Sequence, residues 1–181
     1  CFFELKVSGF EKIKKINKAI KFKIKNKNYT KIKDQEGGKV NRLKKLNETS
    51  NLKAELFGDL YKKNKKKFFN YYKIYINQIS YLLNEIGANI NTVPVLDVRA
   101  TKSSNIIGDR SYSSLPKNVS KIGDFCIGEF KKKGIGTVIK HIPGHGLAKV
   151  DSHKLTPVVK KKIKYLYKND FAPFKNRSEE Q

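Results

Sequence analysis

The stretch GTVIKHIPGHG, residues 136–146, begins as a β-branched apolar run and turns at Lys140 into a polar loop with one proline and two glycines. A short apolar run ended by turn signals reads as a buried strand. The same passage from strand to polar loop occurs twice upstream. YTKIK (29–33) runs into DQEGGKVNR (34–42), and NINTVPVLDV (89–98) runs into RATKSSNIIGDR (99–110). Pro94 places a bulge or an end inside the second of these strands.

Helical patterns separate the strands. Ile13, Ile16, Ile20 and Ile24 recur at helical spacing over 11–27. Phe68, Tyr72, Ile76, Ile79, Leu83 and Ile86 do so over 66–86, and Gly87 stops that helix. Pro116 opens another, with Val119, Ile122, Cys126 and Phe130 on one face and Gly134 at its end. Thr156 and Pro157 predict the cap and first turn of a last helix, with Ile163 and Leu166 inward. Alternation of apolar strands with helices predicts an α/β fold, a parallel sheet covered by helices. Polar loops after every strand point to a TIM (β/α)8-type barrel, whose site lies on the carboxyl face of its strands. A doubly wound open sheet is the second candidate. A whole barrel needs about 250 residues. The 181 residues here supply about four strands, counting a remnant at CFF, so about half a barrel is expected as one partial domain over 1–181.

A formal charge of +24 and a pI near 9.9 invite a nucleic-acid reading. Against it, only four of the 40 basic residues are Arg, at 42, 99, 110 and 177. Arg is the residue that grips phosphate and base edges bidentately. The lysines are spread along a chain rich in Asn, Ile, Tyr and Phe, a composition that points to drift in an AT-rich coding sequence. No apolar run reaches the roughly 18 residues a membrane span requires. CFFELKVSGF has neither an initiator Met nor a signal pattern and reads as the start of a segment of something longer. Two cysteines, Cys1 and Cys126, make no disulfide framework and are compatible with a reducing cytoplasm.

The loops carry the candidate chemistry. Asp34 sits at a strand end beside Gly37 and Gly38, placed either to accept hydrogen bonds from substrate hydroxyls or as a solvated turn acid. Arg110 follows Asp109, which leaves open an anion-holding Arg or a structural Asp–Arg pair. Lys140 and His141 end a strand and would point to opposite faces if the strand persisted. His141, His145 and His153 could supply the three ligands of an open zinc site, but no Cys is nearby and no H-E-x-x-H pattern exists, which argues against one. Asp151 lies two positions before His153, where it can orient the imidazole and favour its cation. Such a pair holds or delivers a proton near neutral pH. No nucleophile elbow, P-loop or dinucleotide fingerprint is present.

Taken in order, DQEGGKVNR, PVLDV, IGDRSY, KHIPGHG and DSH resemble the β-N-acetylglucosaminidases of glycoside hydrolase family 3, over about residues 29–174. The resemblance implies a barrel fold and retaining hydrolysis of terminal, non-reducing β-linked N-acetylglucosamine. It implies muropeptides of cell-wall recycling as substrates, including those with 1,6-anhydro-N-acetylmuramic acid, and a cytoplasmic enzyme that needs no cofactor or metal. The full-length enzyme is expected to be a monomer with a carbohydrate as its partner, not nucleic acid. His153 would be the proton donor and Asp151 its partner. Asp34, Arg42, Arg110, Lys140 and His141 would contact the sugar. The family's Asp nucleophile follows the DSH loop and has no match before Gln181; Asp170 is a poor substitute. This segment alone is therefore expected to be inactive. The alternatives are a remnant that binds carbohydrate without cleaving it and a basic nucleic-acid binder.

Overall fold

A computed structural model describes residues 11–12, 14–16, 18–19, 30–100, 106–150 and 154–175. Three short strands form a parallel sheet: β1 (Ile32–Lys33), β4 (Ile90–Asn91) and β5 (Gly136–Thr137). β4 is central, pairing Ile32 with Ile90 on one side and Ile90 with Gly136 on the other. An isolated parallel bridge from Val95 to Lys140 continues the pairing past a cis Val93–Pro94 bond. Parallel strands send the chain out at one common end, so the segments after β1, β4 and β5 converge there.

The segment DQEGG does not simply stop β1. It continues into β2 (Gln35–Gly37), which pairs antiparallel with β3 (Val40–Asn41). Gly37, at φ 88°, makes this hairpin possible, because a Cβ there would lie 2.3 Å from the Leu52 carbonyl oxygen.

Helices α1 (Ala54–Lys63), α2 (Lys65–Glu85) and α3 (Pro116–Lys131) pack together in a layer that meets the sheet through α3 and β5. The Asn64 side chain caps α2 by accepting from Lys67 N at 3.0 Å. Phe68, Tyr72, Ile76, Ile79 and Leu83 form its buried stripe, and each such side chain contributes about 1.5–3 kcal/mol. Pro116 stands in the first turn of α3, whose Val119, Ile122, Cys126 and Phe130 are buried as their spacing predicts. α1 has no counterpart in the sequence reading. It buries Phe57 and Tyr61 against α2 and α3.

The last helix differs from expectation. α4 (Ile163–Lys168) starts after Lys162, leaving Thr156 and Pro157 in coil, and Ile163 is exposed. Over 11–27 only the described residues in 11–19 show helix, and CFF lies outside the described residues. No helix among the described residues is long and apolar enough to cross a membrane.

Candidate active site

Alternation in the β2 hairpin sorts its side chains. Gln35 turns inward and is buried, while Asp34 and Glu36 share the other face. Gln35 N donates to Asn91 Oδ1 at 2.9 Å, and Asn91 Nδ2 returns a bond to the Gln35 carbonyl at 3.0 Å. Gln35 Oε1 also accepts from Leu43 N at 2.9 Å. These bonds tie the hairpin to β4 and hold Asp34 and Glu36 over the carboxyl ends of the strands.

Opposite them stand two cations. Arg110, from the short 3-10 turn Gly108–Arg110, donates to Glu36 through Nε and Nη2, both at 2.8 Å. Lys140 Nζ lies 2.5 Å from Asp34 Oδ1 and 2.6 Å from Glu36 Oε1. Thr92 Oγ1 donates to Asp34 Oδ1 at 2.6 Å. Asp34 is the open member of the group, with 38% of its side chain exposed against 7% for Glu36, 17% for Arg110 and 14% for Lys140. Burial raises the Asp34 pKa, but hydrogen bonds from Lys140 and Thr92 outweigh it and hold the carboxyl below its usual range. Paired with Glu36, Arg110 is held above its ordinary value despite burial.

Lys140 and His141 do not point apart. The strand fails at this point, the Lys140–His141 peptide is cis, and both side chains reach the same cluster. His141 Nδ1 lies 2.6 Å from the fully buried Asp97 Oδ2, and its Nε2 lies 3.4 Å from Arg110 Nη2. Asp97 Oδ1 also accepts from His145 N at 2.6 Å. His145 is thus a loop anchor through its backbone.

The structure gathers Asp34, Arg110, Lys140 and His141 from three strand ends. It sets Arg42 apart: that side chain is exposed and lines a cleft with Lys39, Lys44, Lys53 and Asp109. Nor is Arg110 paired with its neighbour Asp109, which faces Lys39 and Lys53 instead. Asp151 and His153 lie outside the described residues. Glu36 and Asp97 were missed in the sequence. Glu36 stands two positions from Asp34 and so on the same strand face, and Asp97 closes the apolar run of PVLDV; both signals were readable. Among the described residues no three His, Cys, Asp or Glu side chains form a group able to hold a metal.

Parallel strands under a helical layer, with acids and cations gathered at their carboxyl ends, define part of a (β/α)8-type barrel. Residues 6–181 match the glycosyl hydrolase family 3 N terminal domain, and the chain belongs to that family. It is similar to beta-hexosaminidase A of Pseudoalteromonas piscicida, 33% identical over 141 residues that cover 78% of this chain and 23% of that protein. The beta-hexosaminidase of Hydrogenovibrio crunogenus is 29% identical over 145 residues, 78% of this chain and 39% of that protein. Among solved structures, NagZ from Neisseria gonorrhoeae in complex with N-trifluoroacetyl-D-glucosamine has a TM-score of 0.83 at 25% identity, covering 94% of this chain and 50% of that one. The chain thus spans half or less of the length of these relatives.

Proposed function

We propose that this chain is one partial barrel domain carrying the sugar-binding face and the proton donor of a β-N-acetylglucosaminidase. The whole enzyme would remove terminal, non-reducing β-linked N-acetylglucosamine with retention. The observation that carries the proposal is the convergence of Asp34, Glu36, Arg110, Lys140 and His141 from three strand ends. Asp34 presents carboxylate oxygens for sugar hydroxyls, and Arg110 and Lys140 hold its side of the site in place. The relative solved with N-trifluoroacetyl-D-glucosamine supports an N-acylated glucosamine as the bound unit. Muropeptides as the substrate, a cytoplasmic location, Arg42 as a sugar contact, and His153 with Asp151 as the proton device rest on the family resemblance and complete the proposal.

Retaining hydrolysis needs a nucleophile as well as a proton donor, and the family's Asp nucleophile has no counterpart in the matched motifs. The 181-residue chain is therefore expected to bind N-acetylglucosamine without turning over a chromogenic β-N-acetylglucosaminide. Binding followed by NMR is expected to be lost in Arg110→Ala. An absence of binding by the unaltered chain overturns the sugar-site reading. Turnover that vanishes in His153→Ala overturns the expected inactivity.

A further inference from the structure

The charges of the sugar site close on themselves. Arg110 and Lys140 bring two positive charges, and Asp34 and Glu36 bring two negative ones. The two acids are not equivalent. Asp34 is the more open and is available to a ligand, whereas Glu36 is almost covered. Both guanidinium nitrogens on the Glu36 side, Nε and Nη2, are spent on its two oxygens, and Lys140 adds an ion pair to Oε1 at 2.6 Å. That fork is the arrangement Arg offers to an external carboxylate or phosphate. Here the protein fills it with a side chain of its own.

We propose that Glu36 is a specificity-determining residue: a counterion built into the sugar site that keeps Arg110 and Lys140 from accepting anionic sugars, so that the site selects neutral ones. The proposal rests on the sugar-site reading above. A uronic acid or a sugar phosphate would have to displace the Glu36 carboxylate from two charge-assisted hydrogen bonds and an ion pair. A neutral N-acetylhexosamine leaves those bonds intact and meets Asp34, Thr92 and His141 at the open side. If Glu36 only braced the hairpin, its loss would change stability and leave the preference between neutral and anionic ligands unmoved.

The test uses the full 181-residue chain and calorimetric titration with N-acetylglucosamine, glucuronic acid and inorganic phosphate. The unaltered chain is expected to bind N-acetylglucosamine at least about tenfold more tightly than glucuronic acid. Glu36→Gln keeps the shape and removes the charge. It is expected to shrink that ratio at least about tenfold and to gain phosphate affinity by a similar factor. The gain should disappear in Glu36→Gln/Arg110→Gln, which separates it from phosphate held by surface lysines. An unchanged ratio together with no phosphate gain in Glu36→Gln overturns the proposal. Should that variant fail to fold, Glu36→Asp takes its place, since its shorter carboxylate reaches fewer of the cation hydrogens. A partial gain is then expected, and none overturns the proposal. If the unaltered chain binds no N-acetylglucosamine, the sugar-site reading fails, while the phosphate comparison still decides the role of Glu36.

Discussion

Asp97 Oδ2 and His141 Nδ1 stand 2.6 Å apart, with the carboxylate fully buried and the ring at the edge of the site. A carboxylate accepts only, so His141 donates from Nδ1, and a neutral ring then turns its Nε2 lone pair toward Arg110 Nη2. Asp97 chooses the tautomer and so decides which ring nitrogen carries the lone pair beside Arg110. Asp97→Asn keeps the shape but can offer an amide donor where the acceptor stood. We expect the His141 proton to move to Nε2, read from the ring nitrogen shifts by NMR. Affinity for N-acetylglucosamine is expected to fall about tenfold, the effect of one lost hydrogen bond of roughly 1.5 kcal/mol. An unshifted tautomer would remove Asp97 from the site's machinery.

Asp170 gives the chain a pH dependence of unusual sign. Burial, helped by the nearby charge of Asp97, pushes its carboxyl from 3.8 up to about 6. A carboxyl raised on folding contributes its stability fully below about pH 4, and that contribution is lost as pH rises through about 6. The loss is on the order of 3 kcal/mol at most. Asp170→Asn mimics the protonated form at every pH. Between pH 4 and pH 7 its melting temperature should rise relative to the unaltered chain by about 5–10 °C. A constant offset across that range contradicts the assignment.

Much of this architecture is legible in the residues because helices advertise their buried faces. The buried stripes of α2 and of α3, Val119, Ile122, Cys126 and Phe130 in the latter, each repeat one signal over several turns. Strands of two or three residues repeat nothing, so the β2–β3 hairpin hid inside DQEGGKVNR. Its shape depends on Gln35 reaching Asn91, 56 positions away, which no local pattern announces. α1 lacks a side-chain cap and carries Gly58 in its middle, both contrary to helix preference. Tertiary contact explains the glycine, for a Cβ there would lie 1.6 Å from the Tyr112 carbonyl oxygen. In the site, Asp34, Lys140 and His141 stand out as strand-end residues and Arg110 as a loop Arg in a chain with few, while their role as sugar contacts comes from the resemblance alone. Arg42 carries no such local signal, and nothing in DQEGGKVNR announces the hairpin that sets it on the exposed side.

Two glycines make opposed predictions. A Cβ on Gly146 would lie 1.9 Å from the Val98 carbonyl oxygen, against backbone that cannot yield without moving the loop anchored at His145. Gly146→Ala is expected to cost about 3 kcal/mol in urea unfolding. Gly128 lies within α3, and a Cβ there meets nothing within 4 Å. Gly128→Ala should stabilise by about 0.5–1 kcal/mol. Equal effects of the two changes would refute this packing.

The hydroxyls of Tyr72 and Tyr112 lie 2.6 Å apart in the buried core. Phe at either position leaves the other hydroxyl without this partner, at about 1–2 kcal/mol each. Phe at both positions removes the unmet group along with the bond. The double variant should therefore be about 1 kcal/mol more stable than the sum of the singles implies. Strict additivity in the unfolding cycle would show that the two hydroxyls do not share a bond.

Beside that pair, Cys126 is 1% exposed, and its burial pushes the thiol up to about 12. A thiol in that condition is neither ionised nor reachable while the helices stay together. In a Cys1→Ser background it becomes the only sulfhydryl in the chain. The rate at which an alkylating reagent consumes it is then a clock for opening of the α1–α2–α3 core, a built-in gauge against which the Gly146, Tyr72 and Asp170 variants can all be timed.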